Sequence, residues 1–144
     1  MRAMKKSERY GGLPELDEDE EYWLVQRAIL EVTPEKKSIQ FDAISKRILK
    51  RFGDMYHHVK NPTIYNNGLG QLTLGQENDE FLKELLADLV EKEYVSEKIT
   101  DYGNKVLYRR LNRTAIGPPD DHKIRSWFNV IFDVSILDQI AREV

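Results

Sequence analysis

The chain reads as a mainly α-helical domain with a small β-hairpin, an α+β arrangement in which most of the helices precede the hairpin. Three observations predict this. Apolar residues recur at helical spacing in four separate segments, two β-rich runs flank Asp101-Tyr102-Gly103-Asn104, and prolines and glycines fall at the joints between these patterns.

Residues 1–16, with Gly11-Gly12 and Pro14, read as a flexible N-terminal arm. A helix is expected from about Asp17, because Asp17 and Glu20 have the spacing of a capping box, with aspartate in the Ser/Thr role. Tyr22, Val25, Ile29 and Val32 give it an apolar stripe, and Pro34 stops it. "KKSIQ" is long enough for one short strand. Phe41, Ile44, Ile48, Leu49 and Phe52 then mark a second amphipathic helix, expected to end at Gly53.

The stretch "NPTIYNNGLGQLTLGQEN", residues 61–78, admits two readings. As a helix, it places Pro62 in the first turn, where a missing N–H costs nothing, and turns Ile64, Leu69 and Leu72 inward. Gly68 and Gly70 count against that helix by about 0.8–1 kcal/mol each. The other reading is a hairpin or loop, since Asn67-Gly68 suits a type I′ turn and Leu72 and Leu74 alternate after it. Phe81, Leu82, Leu85, Leu86 and Leu89 mark the clearest helix, over about 78–92, and the hairpin follows. Residues 114–121, containing "IGPPDD", read as a linker. Ile124, Trp127, Phe128 and Ile131 define a C-terminal amphipathic helix within 122–144, its apolar pattern continuing through Leu137.

The order helix, short strand, helix, a further segment, helix, hairpin resembles the winged helix-turn-helix architecture. "LLADLVEKEYVSEKITDYGNKVLYRRL" carries the likeness best: an apolar helix runs into a turn and then a two-stranded wing. The resemblance covers about residues 20–112 and implies a winged-helix-like domain over 17–113, followed by the C-terminal helix. It concerns architecture and points to no specific family.

Composition narrows the function classes. No apolar run suggests a membrane span, no secretory pattern opens the chain, and cysteine is absent, so a soluble cytoplasmic protein without disulfides or thiolate zinc is expected. His57-His58 has no evident third ligand, Gly68-Leu69-Gly70 is not followed by Gly-Lys-Ser/Thr, and no nucleophile with a base partner stands out. The expectation is therefore a protein without enzymatic activity, metal or cofactor.

Charge is zoned despite a net charge of only −3. Residues 15–21 hold six acids, whereas residues 36–60 hold seven basic residues against Asp42 and Asp54. In the winged-helix layout the helix before the wing reads the major groove. Here its polar side carries five acids against Lys83 and Lys92, which opposes a phosphate backbone.

A nucleic-acid interface is therefore expected elsewhere. Lys46, Arg47, Lys50, Arg51 and Lys60 are the candidates for phosphate contacts, and Thr63, Tyr65, Asn66 and Asn67 for base contacts, since asparagine can pair adenine bidentately. Arg109 and Arg110 on the wing would assist. On this reading the chain is an accessory or regulatory protein of a nucleoprotein system, with DNA or a nucleoprotein complex as partner. The alternative is a protein-interaction adaptor on the same scaffold, using the acidic helix and the C-terminal residues Ile124, Trp127, Phe128, Ile131 and Leu137 for a protein partner or for self-association.

Overall fold

The computed structural model describes residues 14–59, 67–75, 78–100, 104–112 and 116–132. Helix α1 spans Glu18–Val32. It begins there because the expected capping box forms: Asp17 Oδ1 accepts the Glu20 N–H at 2.8 Å, and Glu20 Oε1 accepts the Asp17 N–H at 3.1 Å. The acids Glu18 to Glu21 occupy the first turn, where the helix dipole favours negative charge. Thr33 closes the other end in extended conformation, and Pro34 prevents any continuation.

Strand β1, Ile39–Gln40, leads directly into α2, Phe41–Val59. This helix passes through Gly53 rather than ending there. A glycine inside a helix costs only about 1 kcal/mol. The fully buried Phe52 and the Lys50–Asp54 pair, one turn apart at 3.0 Å, favour continuation across it. Between residues 61 and 78 the structure forms a short helix, α3, over Asn67–Thr73. The Asn67-Gly68 pair thus opens a helix instead of turning a hairpin, and Leu69 and Leu72 are buried. A carboxylate from another helix holds its start: buried Glu21 of α1 accepts the Leu69 N–H at 2.6 Å. That satisfies one of the donors a helix start leaves unpaired and offsets the glycine cost.

Helix α4, Asp79–Glu91, is capped by the Asn78 side chain and buries Leu82, Leu85, Leu86 and Leu89. Its last turn closes with two reversed bonds, Tyr94 N–H to the Leu89 carbonyl at 2.9 Å and Glu93 N–H to the Val90 carbonyl at 3.1 Å. Glu93 sits at φ 65°, the left-handed position usually filled by glycine in this motif. The reversal aims the chain into β2, Val95–Ile99, and β3, Val106–Arg110. The three strands form an antiparallel sheet in the order β1-β3-β2, with Ile39 opposite Tyr108 and Val95 opposite Arg110. The chain is thus mainly α-helical with a small antiparallel sheet, as the periodicity predicts.

Helix α5, His122–Phe132, packs on α1 and α2. Ile124, Trp127, Val130 and Ile131 are fully buried and join one core with Leu24, Ile29, Ile48 and Leu85. The described parts of two segments expected to be loose, 14–16 and 116–121, are packed. Leu16, placed in the arm by its glycine- and proline-rich surroundings, is 1% exposed, and the Pro14 carbonyl accepts the Trp127 indole N–H at 2.7 Å. The described part of the 114–121 segment lies against α1: buried Arg27 donates from Nε to the Ile116 carbonyl and from Nη1 to Asp121, both at 2.7 Å. Gly117, at φ 121°, passes so close that an added Cβ would meet Arg27 Nη2 at 3.2 Å and the Trp23 ring at 3.4 Å. No helix among the described residues is long and apolar enough to cross a membrane.

Candidate functional site

Among the described residues, two oppositely charged helix faces and two concavities offer surfaces on which a partner could act. The basic row on α2 is the first. Lys46, Arg47 and Lys50 are exposed, Arg51 is half-buried, and the last three share a groove of about 680 Å³ with Glu31, Asp54 and Phe132. Three members of the expected cluster therefore line one groove. Most of its cations are already engaged within the chain, however. Arg47 Nη1 donates to the Val32 carbonyl at 2.7 Å, capping the C-terminus of α1. Lys50 pairs with Asp54, and the Arg51 guanidinium lies 5.5 Å from the centre of the Phe132 ring. Lys46 is the member with no such engagement among the described residues.

The wing arginines differ more sharply from expectation. Arg110 is 7% exposed. It donates from Nη1 to the Leu30 carbonyl at 3.0 Å, its Nη2 lies 3.8 Å from Glu35, and its backbone N–H bonds the Pro34 carbonyl. A cation at the last carbonyls of α1 is favoured by the helix dipole, so Arg110 locks the sheet onto that helix rather than presenting charge to a partner. Arg109, half-buried, donates to the Glu35 carbonyl at 3.2 Å. Asn67 opens α3, while Lys60, Thr63, Tyr65, Asn66 and Leu137 lie outside the described residues.

The C-terminal partner face is also reassigned. Ile124, Trp127 and Ile131 are buried in the chain's own core, because their stripe meets the apolar faces of α1 and α2. Phe128 is half-buried and stacks on Phe132 with ring centres 4.6 Å apart. Of the four described residues proposed for this face, only Phe128 retains part of its surface.

The second helix face is acidic. On α4 and the turn after it, Glu80, Glu84, Glu91 and Glu93 are exposed. The two lysines expected to moderate them are held locally: Lys92 pairs with Asp88 at 3.0 Å, and Lys83 Nζ sits 5.2 Å from the centre of the Phe41 ring. Asp88 is tied inward as well. Burial pushes its carboxyl up, but hydrogen bonds from Gln26 and Lys92 outweigh this and hold it below the ordinary value. Its charge persists at the fold's surface. Tyr22 registers the field, for burial and then the Asp88 and Glu84 carboxylates raise its phenol above the usual range.

A smaller cleft of about 380 Å³ lies where β1 turns into α2, opposite Lys83 of α4 and the start of β3. Gln40, Phe41, Lys83, Asn104, Lys105 and Tyr108 stand on its walls together with Asp42 and Val106. No spacing in the sequence foretells this grouping, since its members come from three segments far apart along the chain. The only legible signal is the strand-to-helix junction at Gln40-Phe41.

No family model, curated protein or solved structure gives a significant match to the chain.

Proposed function

We propose that the chain is a protein-interaction adaptor built on a winged-helix-like scaffold, a binding module rather than an enzyme, which meets a basic partner surface with the exposed side of α4. The observation that carries this reading is the state of the charges on α4. Its carboxylates Glu80, Glu84 and Glu91 face outward and outnumber the two exposed lysines, Lys83 beside the Phe41 ring and Lys92 paired with Asp88. In the winged-helix arrangement that helix is the one presented to a partner. A negative face repels phosphate and attracts lysine- or arginine-rich protein surface.

The test compares immobilised wild type with the triple variant Glu80→Lys, Glu84→Lys, Glu91→Lys in capturing cell proteins. A specific partner retained by wild type and lost by the variant, with unchanged circular dichroism, is expected. Equal retention by both overturns the reading.

The basic groove on α2 favours a second reading, binding of nucleic acid. Its check is titration of a 30-base-pair duplex across a salt series. The adaptor reading expects no binding. Binding whose salt slope flattens by about 0.9 for each lost phosphate contact, on replacing Lys46 and Lys50 by alanine, would transfer the function to α2.

A further inference from the structure

We infer that the cleft between the start of α2, Lys83 and the start of β3 is an anchor pocket for a carboxylate on the adaptor's protein partner. The inference rests on the adaptor reading and names one chemical feature of the partner. Two lysines, Lys83 and Lys105, line the cleft from different elements, and both are exposed. Lys83 is exposed, and its Nζ lies 5.2 Å from the centre of the half-buried Phe41 ring, which favours that position at the wall. Among the described residues neither ammonium has a carboxylate partner within ion-pair distance. Gln40 and Asn104 add amide donors, and Asn104 is held at φ 52°, a conformation that defines the strand's approach. Among the described residues Asp42 is the one carboxylate on the wall, against the two lysines.

The larger groove lacks this balance. Its cations face both Glu31 and Asp54, and Arg47 and Lys50 are spent on Val32 and Asp54. Size also selects the occupant. About 380 Å³ accommodates one or two side chains, not a duplex. The adjoining acids of α4 disfavour a polyanion but tolerate a single carboxylate flanked by basic residues. The partner segment implied is therefore basic, with its lysines or arginines on Glu80 and Glu84 and one carboxylate between Lys83 and Lys105. Such a carboxylate is either an aspartate or glutamate side chain or a chain terminus.

The experiment is a nuclear magnetic resonance titration of the full chain with three forms of one hexapeptide. One is acetyl-Lys-Lys-Ala-Ala-Phe-Glu with an amidated terminus, one replaces glutamate by glutamine and keeps the terminus free, and one has glutamine and an amidated terminus. Expected are amide shifts at Phe41, Lys83 and Lys105 with at least one of the two carboxylate forms, and at least tenfold weaker binding of the doubly neutral form. Which carboxylate form binds distinguishes the side chain from the terminus. Lys83→Gln with Lys105→Gln should weaken binding about tenfold without changing the melting temperature. Equal binding of all three peptides, no shift at the cleft at millimolar peptide, or preferential binding of the dinucleotide pTpT overturns the pocket. Those outcomes leave the adaptor reading standing if charge reversal on α4 still removes the captured partner, so the two fail separately.

Discussion

Helices α2 and α4 carry outer faces of opposite sign, and the fold treats them differently. Three cations of α2 have partners within the chain: Arg47 the Val32 carbonyl, Lys50 Asp54, and Arg51 the Phe132 ring. On α4 the exposed Lys83 and Lys92 lie against Phe41 and Asp88, and the exposed carboxylates Glu80, Glu84 and Glu91 outnumber them. Counting charges along the sequence makes α2 the stronger site. Counting what faces a partner makes α4 the stronger one. Long basic side chains reach carbonyls and rings that short carboxylates do not, so a folded surface can be more acidic than its sequence.

The largest test of this contrast lies behind α2. Trp127 seats α5 against α1 and α2, and α5 carries the Phe132 ring that Arg51 covers. Trp127→Ala should cost about 3–5 kcal/mol in urea denaturation and be independent of protein concentration. A concentration-dependent loss would instead restore α5 to the partner interface. Next comes the contrast between a buried and an exposed cation. Arg110→Ala leaves the Leu30 carbonyl without its charged donor and should cost about 2 kcal/mol. Lys50, 74% exposed, should cost no more than about 0.5 kcal/mol when changed to alanine. Equal losses from the two would mean that Arg110 is as accessible as Lys50.

The smallest effect concerns pH. A hydrogen bond from the Arg27 guanidinium holds the Asp121 carboxyl below its ordinary value, so the unfolded chain takes up the proton first. The stabilisation is complete above the unfolded value of about 3.8 and is lost as pH falls through the lower folded value. Asp121→Asn should therefore be less stable at pH 7 and converge on wild type as the acid limb is descended. Parallel stability curves would show that the carboxylate's charge contributes nothing to holding the 116–121 segment on α1.

Local chemistry was readable wherever it acts within a few residues. The Asp17–Glu20 box, the Pro34 stop, the inward leucines of α4 and the hairpin all depend on short-range pattern, and all appear as predicted. The helix at 67–73 was only one of two local possibilities. Asn67-Gly68 favours a turn, and the choice is made by Glu21, 48 residues earlier in the chain, whose carboxylate bonds Leu69. Gly53 shows the same limit, because packing around Phe52 outweighs a local stop signal.

The sequence by itself determined the four longer amphipathic helices, the hairpin and the sign of each charged face, since periodicity, caps and composition are properties of neighbouring residues. Tertiary structure alone decided which charges reach solvent. Arg110 is buried on the Leu30 carbonyl, Ile124, Trp127 and Ile131 are spent in the core, and Lys83 and Lys105 meet across one cleft. Each outcome depends on a carbonyl, ring or cavity supplied by a distant segment, and no local spacing encodes that encounter.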